Sequence, residues 1–542
     1  MAKNYDYIIV GAGSAGCVLA NRLSATGERQ VLLIEAGGKD NHPYIHIPGA
    51  YPKLHRSKHD WQLWTEPQQY VNDRRLYLPR GKALGGCSST NALAYVRGNK
   101  EDYNDWASMG CTDWDYDSIL PYFKRSEGNA NLAKLDQGYH SDKGELGVGY
   151  AQYYETPLAQ AFIDSARSAG LPRNVDYNGA EQNATARFQF TIKNGRRQST
   201  AVAFLKPILK RSNLDVMTHT QVQQVMIRDQ RATGVQVRSK NGSVTTIAAS
   251  KEVILSAGSF HSPQILQLSG IGSKDELNQH GIEPKVELPG IGKNLQDHLF
   301  YFISAHTHDK VGFNHNSTLL NQVKDIFGYL THKKTPLSCS PLEAVSFFNL
   351  DNYDDRVNFQ FHFAPFHVND GRQEDIYDFS TIPTERDGVT ICPSLLHPKS
   401  RGSVTLRSKS ISDAPVIQPN FLSEEEDLRQ LIKGGRIAMD VMGQDAFNKY
   451  IEEPIEISPT SSDDEMIAYI KRRLETIYHP VGTCMMGTDE MAVVDSQLRV
   501  RRLSGLRVVD ASVMPTITSG NTNAPVIMIA EKAADMILGE VV

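Results

Sequence analysis

The chain has 542 residues and a mildly acidic composition, with 57 Lys and Arg against 62 Asp and Glu and a net charge of −5. Apolar residues make up 40% of it and charged residues 22%, which excludes a disordered chain. The acidic balance argues against nucleic-acid partners, and no apolar run approaches the ~20 residues needed to cross a bilayer. We expect a soluble globular protein without a transmembrane segment, and association with the periphery of a membrane stays open.

Six cysteines are scattered along the chain, and none forms a C-x-x-C pair. This pattern predicts neither a disulfide framework nor a zinc site, so we expect no metal. The apolar stretch from Tyr7 to Ala20 resembles a signal-peptide core only faintly, because no strongly basic leader precedes it. We therefore expect a reducing, cytoplasmic compartment.

The first forty residues predict a strand, a tight turn, a helix and a second strand. Tyr7–Val10 is a short β-branched run, and Cys17–Ser24 carries apolar residues at helical spacing. Val31–Ile34 is the second apolar strand. The segment therefore has the length and order of a βαβ dinucleotide-binding unit.

The turn between the first strand and the helix contains Gly11, Gly13 and Gly16 at G-x-G-x-x-G spacing, with Ser14 and Ala15 inside it. Glycine permits the sharp turn, the approach of the backbone to a pyrophosphate and the packing of helix on strand. The N-terminus of the helix then faces the phosphates. We predict that these five residues bind a dinucleotide.

An acidic residue stands where this type of site needs one. Glu35 follows Gly16 by nineteen residues and, with Ala36 after it, ends the second strand. Its carboxylate can accept hydrogen bonds from an adenosine ribose, and it disfavours a 2′-phosphate such as that of NADP. The motif leaves open whether the dinucleotide is FAD or NAD.

The rest of the chain has weaker patterns. Val222–Val225 and Gly234–Val237 alternate like antiparallel strands. Phe359, Phe361 and Phe363 alternate with polar residues, as do Val404 and Leu406, which predicts a second sheet with one covered face. A helix is predicted from Glu424 to Met442 on that sheet.

Four blocks of sequence bear on the choice between FAD and NAD. They are Pro79–Asn91, Gly258–Gly272, His479–Thr483 and Val508–Asn523, and they resemble, in family order, the signatures of the glucose–methanol–choline (GMC) oxidoreductase family. The resemblance runs from residue 7 to about 537. It implies FAD rather than NAD.

The resemblance also implies the fold, an α/β (α+β overall) architecture with a Rossmann-like FAD-binding domain of the glutathione-reductase type. That domain is expected to be discontinuous and to comprise residues 1–155, 190–305 and 465–542. A substrate domain on an antiparallel sheet is expected from residues 156–189 and 306–464.

Further cofactor-binding residues follow from the resemblance. The Gly- and Ser-rich first signature can bring backbone N–H groups against phosphates without steric cost. Thr90 precedes Asn91 where some relatives have the histidine that bonds covalently to flavin, so we expect non-covalent FAD. The residues added are Arg80, Gly86, Asn91, Ala92, Leu93, Ala94, Val222, Ala257, Asp510, Ala511 and Thr522.

His479 and Asn521 are the expected catalytic residues. The resemblance places His479 beside flavin N5, where it would remove the hydroxyl proton while a hydride passes to N5. A neutral imidazole suits that task, and the Asn521 amide can hold the substrate oxygen without titrating. His261 and His298 are interpreted as structural.

The last helix is expected from about Ala524 to Ile537, with a cap supplied by Thr522 or Asn523 and Pro525 in its first turn. By resemblance its positive end would face the N1–C2 carbonyl of the flavin, where the charge of the reduced ring collects.

We therefore predict FAD-dependent oxidation of a primary alcohol to an aldehyde, with oxygen or a quinone or dye as acceptor, by a monomer or homodimer. The alternatives are a hydroxynitrile lyase or flavin photodecarboxylase of the same family, an NAD-dependent dehydrogenase, and a non-catalytic binding module. Choline, aromatic and aliphatic alcohols stay open. A choline site would need an aromatic cage, for which Trp61, Trp64, Phe361 and Phe363 are candidates.

Overall fold

Two large β-sheets organise the chain in a computed structural model that describes residues 4–367, 377 and 382–539. The strands, in chain order, are β1 (Tyr5–Val10), β2 (Val31–Ile34), β3 (Leu63–Trp64), β4 (Tyr77–Leu78), β5 (Glu127–Asn129), β6 (Leu146–Val148), β7 (Ala184–Arg187), β8 (Ile192–Lys193), β9 (Arg196–Arg197), β10 (Leu214–Met217), β11 (Thr220–Arg228), β12 (Arg231–Ser239), β13 (Val244–Leu255), β14 (Ile271–Gly272), β15 (Val286–Glu287), β16 (Leu299–Phe300), β17 (Ile303–Thr307), β18 (Ala344–Phe348), β19 (Phe359–Ala364), β20 (Gly388–Leu395), β21 (Ser403–Thr405), β22 (Val416–Gln418), β23 (Ile451–Ile455), β24 (Glu475–Thr476) and β25 (Leu506–Val508).

Helices connect and cover these strands. They are α1 (Ser14–Leu23), α2 (Pro43–His46), α3 (Lys100–Ser108), α4 (Tyr116–Ser126), α5 (Pro157–Ser168), α6 (Gly258–Leu268), α7 (Lys274–Gln279), α8 (Leu319–Thr331), α9 (Glu425–Gly443), α10 (Asp445–Asn448), α11 (Asp463–Arg473) and α12 (Asn523–Leu538). Within the described ranges, none of them combines the length and apolar character needed to cross a membrane.

The first sheet has a parallel half and an antiparallel half that share one strand. Strands β10, β2, β1, β13 and β25 are parallel neighbours, and the first part of β13 pairs antiparallel with β12, which pairs with β11. In the parallel half, Val10 lies opposite both Ile34 and Leu255. The predicted βαβ unit and the α/β class are confirmed. The carboxyl ends of β1 and β2 lie together, which brings the glycine turn next to Glu35.

The second sheet is antiparallel and has the order β23-β17-β20-β19-β18-β7, with β16 linking β20 to β24. One face packs against α5, α9 and α11 through residues such as Phe162, Leu431 and Ile470. The predicted helix on this sheet is confirmed as α9.

One prediction about the second sheet is wrong, because both of its faces are covered. Every residue of β19 is buried, including the polar Gln360 and His362. His362 and Ala364, on the face opposite the phenylalanines, line a cavity, so this face is covered as well.

The prediction that Val404 and Leu406 belong to the same sheet is also incorrect. Val404 lies in β21, which among the described strands pairs with β22 alone. This two-stranded sheet packs through Val404 and Ile417 against Phe260 of α6. Leu406 follows the end of β21 and belongs to the core around the first sheet.

The division into two domains stays a proposal. The second sheet includes β16 and β24, at residues 299–300 and 475–476, and both lie outside the range 306–464 expected for the substrate domain. The chain therefore passes from one sheet to the other close to His298 and His479.

Candidate active site

A cavity of about 620 Å³ extends from the carboxyl end of β1 into the space beside the second sheet. All the predicted site residues except Gly16 line it. They are Gly11, Gly13, Ser14, Ala15, Glu35, Ala36, Arg80, Gly86, Asn91, Ala92, Leu93, Ala94, Val222, Ala257, His479, Asp510, Ala511, Asn521 and Thr522. Residues from four distant stretches of sequence therefore meet around one space.

Close backbone contacts shape the glycine end of this cavity. Gly11 has φ +102°, and a Cβ atom there would lie 2.5 Å from the carbonyl oxygen of Ser256. A Cβ on Gly86 would lie 2.7 Å from Cα of Gly13. Gly16 lies outside the cavity lining and has a different role. A Cβ there would lie 1.9 Å from the Gly11 carbonyl oxygen, so the glycine permits α1 to pack on β1.

Two helices begin at this cavity without a side-chain cap. Gly13 precedes α1 and Thr522 precedes α12, and neither N-cap residue accepts a backbone N–H with its side chain. Thr522 holds the N-cap position of α12 as expected, but it makes no side-chain cap hydrogen bond, and Oδ1 of Asn523 accepts from Oγ of Ser14 at 2.8 Å. This contact joins the two helix ends, whose N–H groups favour negative charge.

Glu35 lines the cavity beside the glycine turn. Its carboxylate accepts hydrogen bonds from the backbone N–H groups of Ala12 at 3.0 Å and Gly37 at 2.7 Å. Burial nevertheless raises the pKa of Glu35 to about 7. A ribose hydroxyl donating to this carboxylate would favour its ionised form.

Two other predicted cofactor residues, Asp510 and Asn91, accept hydrogen bonds from residues of neighbouring segments. The Asp510 carboxylate accepts from the Gly258 N–H at 2.9 Å and from the Ser262 hydroxyl at 2.6 Å. Oδ1 of Asn91 accepts from the buried Arg197 guanidinium at 2.7 Å. These side chains are therefore used in fixing the loops that line the cavity.

His479 is buried and held by three polar neighbours. Its backbone N–H donates to Oδ1 of Asp297 at 2.7 Å, its Nδ1 lies 3.0 Å from Nδ1 of His298, and its Nε2 lies 3.2 Å from Nδ2 of Asn521. Burial, with a further contribution from His298, lowers the pKa of His479 well below its ordinary value of 6.5. The ring is therefore neutral at neutral pH.

The tautomer of His479 follows from a chain of hydrogen bonds. Nε2 of His298 lies 3.0 Å from the Leu396 carbonyl oxygen, which can only accept, so this nitrogen carries the proton. Burial lowers the pKa of His298 to about 3, so the ring is neutral and carries only the proton on Nε2. Its unprotonated Nδ1 therefore accepts a hydrogen bond from Nδ1–H of His479. The lone pair of His479 is thereby fixed on Nε2, the atom beside Asn521.

The sequence predicts only a structural role for His298. In the structure, His298 is the hydrogen-bond acceptor for Nδ1–H of His479. The two residues are 181 positions apart, and no periodic pattern surrounds either of them. The only signal in the sequence is a polar Asp297-His298 pair between Leu295 and Leu299, which a buried polar cluster would explain.

One part of the cavity lining is aromatic and apolar. Phe302 and Cys392 form a buried cluster with Phe300 and Phe366, and all four line the cavity. The rings of Phe300 and Phe302 meet edge to face at 5.2 Å. Phe300 follows His298 by two residues, which brings this cluster toward the histidine pair.

The proposed aromatic-cage candidates do not come together. Phe361 and Phe363 belong to the core on the opposite face of the second sheet, and Trp64 is partly exposed outside the cavity lining. Trp61 lines the cavity, but its ring already contacts the ring of His261. Nζ of Lys82 also lies 4.2 Å from the centroid of the Trp61 ring, in a cation–π contact.

The residues present fit a flavin dinucleotide. The glycine turn would clash if it carried side chains, two uncapped helix ends face the cavity, and the Glu35 carboxylate lies at the end that holds the glycine turn. At the other end the buried Oδ1 of Asn521 has no hydrogen-bond partner among the described residues. The fold and the site together define a flavin-dependent oxidoreductase.

Comparisons with known proteins agree with this class. The N-terminal and C-terminal models of the GMC oxidoreductase family match residues 5–300 and 398–530. The chain belongs to the GMC oxidoreductase family, and is therefore an FAD-dependent oxidoreductase acting on CH–OH donors.

Similar proteins cover almost the whole chain. It is 42% identical to an alcohol dehydrogenase [acceptor] of Pseudomonas putida, covering 99% of this chain and 96% of that protein. It is 40% identical to an oxygen-dependent choline dehydrogenase of Photobacterium profundum, covering 99% and 94%. A crystal structure of pyridoxine 4-oxidase from Mesorbium loti matches with a TM-score of 0.88 and 30% identity, covering 98% of each chain.

Proposed function

We propose that this protein oxidises an uncharged, largely apolar primary alcohol to an aldehyde, using non-covalently bound FAD. The observation that carries the proposal is the fixed lone pair on Nε2 of His479, next to the Asn521 amide and in the same cavity as an aromatic cluster. These groups supply a base, a ligand for the hydroxyl oxygen and a surface for an apolar chain.

His479 acts as the base. Its Nε2 accepts the hydroxyl proton, while the Asn521 amide holds the oxygen from which that proton leaves. His298 accepts from Nδ1–H throughout, so the ring keeps its orientation before and after it takes up the proton. FAD, when bound, supplies the acceptor for the hydride that leaves the alcohol carbon.

The protein's backbone would hold the cofactor. The turn at Gly11 and Gly13 and the N-termini of α1 and α12 would bind its negatively charged groups, and Glu35 would bind its ribose. Thr90 lines the cavity, and its hydroxyl is no equivalent of a flavin-linked histidine, which supports non-covalent binding.

The charges around the cavity favour a neutral substrate over choline. Among the described lining residues, the carboxylates are Glu35, Asp325 and Asp510. Glu35 would bind the ribose of the cofactor. Asp510 accepts a hydrogen bond from the Gly258 N–H, and Asp325 accepts one from the Asn316 amide. A quaternary ammonium would be stabilised by a carboxylate near its charge, and each of these three carboxylates already accepts hydrogen bonds from the protein. The phenylalanine cluster can hold an uncharged apolar chain without any counter-charge.

The names of similar proteins support alcohol oxidation with an acceptor other than a nicotinamide, and we propose oxygen or a quinone. The His479–Asn521 pair favours this reaction over the photodecarboxylase alternative. All six cysteines of the chain are free thiols, which supports the proposal of a reducing, cytoplasmic compartment. For the oligomeric state we propose a monomer or a homodimer.

Anaerobic mixing of the FAD-loaded protein with octanol, benzyl alcohol and choline tests the proposal. We expect the flavin absorbance to bleach with the two neutral alcohols, and kcat/KM for choline to be lower by about tenfold or more. Acid precipitation should release free FAD into the supernatant. Fastest bleaching by choline would contradict the proposed substrate class, and no bleaching by any alcohol would contradict the reaction.

A further inference from the structure

Helix α8 presents an apolar face to solvent. Six of its thirteen residues are large, apolar and between 52% and 82% exposed: Leu319, Leu320, Val323, Ile326, Phe327 and Leu330. Apolar residues of a surface helix ordinarily face the core. A contiguous exposed apolar stripe of this kind marks an interaction surface.

Polar contacts hold the opposite face of α8 against the protein. The Tyr329 hydroxyl donates to the Gly195 carbonyl oxygen at 2.9 Å, and Nδ2 of Asn321 donates to the His315 carbonyl oxygen at 2.8 Å. Gly328 is buried on the same face. The helix is therefore anchored by its polar side, and its apolar side is turned outward by specific contacts.

Cations surround the apolar stripe. Lys324 lies on the helix and Lys334 follows it, whereas Nζ of Lys333 donates to the Asn194 carbonyl oxygen. Nζ of Lys53 lies 3.3 Å from Oε1 of Gln322, on the same helix. Between residues 311 and 335 the one acidic residue is Asp325, which is only partly exposed. This positive rim contrasts with the net charge of −5 of the whole chain.

The helix also borders the cavity. Gln322, Asp325 and Ile326 line it together with Phe313 and Leu337. Whatever covers the outer face of α8 therefore lies next to a wall of the proposed substrate cavity.

We infer that α8 is an interfacial helix that docks the protein onto an anionic phospholipid surface. Its apolar side chains would enter the boundary between headgroups and acyl chains, and its lysines would contact phosphate groups. A second copy of the chain is a poorer occupant, because a symmetric contact through α8 would bring two lysine rims together. An apolar alcohol dissolved in the membrane would then be concentrated beside the cavity wall.

Vesicle co-sedimentation of the FAD-loaded, full-length protein tests this inference without any turnover, so its outcome is independent of the proposed reaction. The vesicles are phosphatidylcholine alone and phosphatidylcholine mixed with phosphatidylglycerol at about three to one. We expect binding to the anionic vesicles that weakens as salt is raised.

Two double variants separate the stripe from general surface hydrophobicity. L320S/F327S should lower vesicle binding by about tenfold or more, whereas V175S/V244S, at two positions that are each 49% exposed elsewhere, should bind like the wild type. K324E/K334E should also lower binding to anionic vesicles. All three variants should keep the FAD content and the flavin absorbance of the wild type, which shows that they are folded.

Three results would overturn the inference. The wild type could stay in the supernatant with both kinds of vesicle, or L320S/F327S could bind as strongly as the wild type. The third is sedimentation equilibrium showing a dimer that L320S/F327S dissociates, together with no vesicle binding, which would make a second copy the occupant of α8.

Discussion

The two ends of the cavity are built in different ways. The end that we propose for the cofactor is built mainly from backbone groups, those of the glycine turn after β1 and of the first turn of α12. The chemical end consists of side chains from distant segments, with His298, His479 and Asn521 in one hydrogen-bonded chain. A change at the first end should alter cofactor binding, and a change at the second should alter the reaction while the cofactor stays bound.

The largest expected effect is that of H479A. Loss of the base should lower kcat by ~10²-fold or more while FAD content stays at the wild-type level. Steady-state turnover and the flavin absorbance of the purified variant measure the two quantities. H280A, at a partly exposed histidine outside the cavity, is the control and should keep both. Near-normal turnover of H479A would refute its role as the base.

His298 should matter next, as a positioning residue. In H298L the Nδ1–H of His479 loses its acceptor, so kcat should fall by about tenfold to a hundredfold with little change in KM. H298Q should recover part of the loss, because its amide oxygen can accept that proton. Equal losses in both variants, or a loss of FAD in either, would indicate a purely structural role.

The glycine turn should show the opposite behaviour. In G11A the new Cβ would approach the Ser256 carbonyl oxygen at 2.5 Å in a left-handed conformation, so FAD affinity should fall by about tenfold or more. Turnover per bound flavin should stay close to that of the wild type. G27A is the matched control, since Gly27 also has positive φ, at +80°, but has no atom within 4 Å of a new Cβ. FAD loss in G27A equal to that in G11A would contradict the role of the close contact.

The smallest effect is a displacement of the pH profile. Burial lowers the pKa of His479, so the ring stays neutral and able to accept a proton as the pH falls through 6.5. We therefore expect kcat/KM of the wild type to remain constant through that value and to decline only at lower pH. This acid limb should disappear in H479A. A decline that begins above pH 6.5 would contradict the depressed pKa.

The residues predicted from the glycine turn and from Glu35 lie beside one cavity, and this part of the prediction had a physical reason. A glycine turn, a strand and an acidic residue are a local pattern whose spacing alone determines where backbone N–H groups point. The contact of His298 with His479 joins residues 181 positions apart, and it depends on the path of β16 and β24 in the second sheet. No local periodicity encodes such a contact.

Two errors at the second sheet and at α12 have related causes. The alternation in β19 predicts a face exposed to solvent, but Gln360 and His362 are both buried, and His362 faces the cavity. Thr522 precedes α12 as the pattern suggests, yet its side chain makes no cap. In both places, polar residues that usually meet water or cap a helix lie at the cavity instead.

Parallel measurement of FAD content and of the anaerobic rate of flavin reduction in G11A and H479A tests the separation of the two ends most directly. G11A should hold less FAD but reduce what it holds at the wild-type rate with benzyl alcohol. H479A should hold a full complement of FAD and reduce it ~10²-fold more slowly or worse. Loss of FAD from H479A, or wild-type reduction by it, would contradict the account.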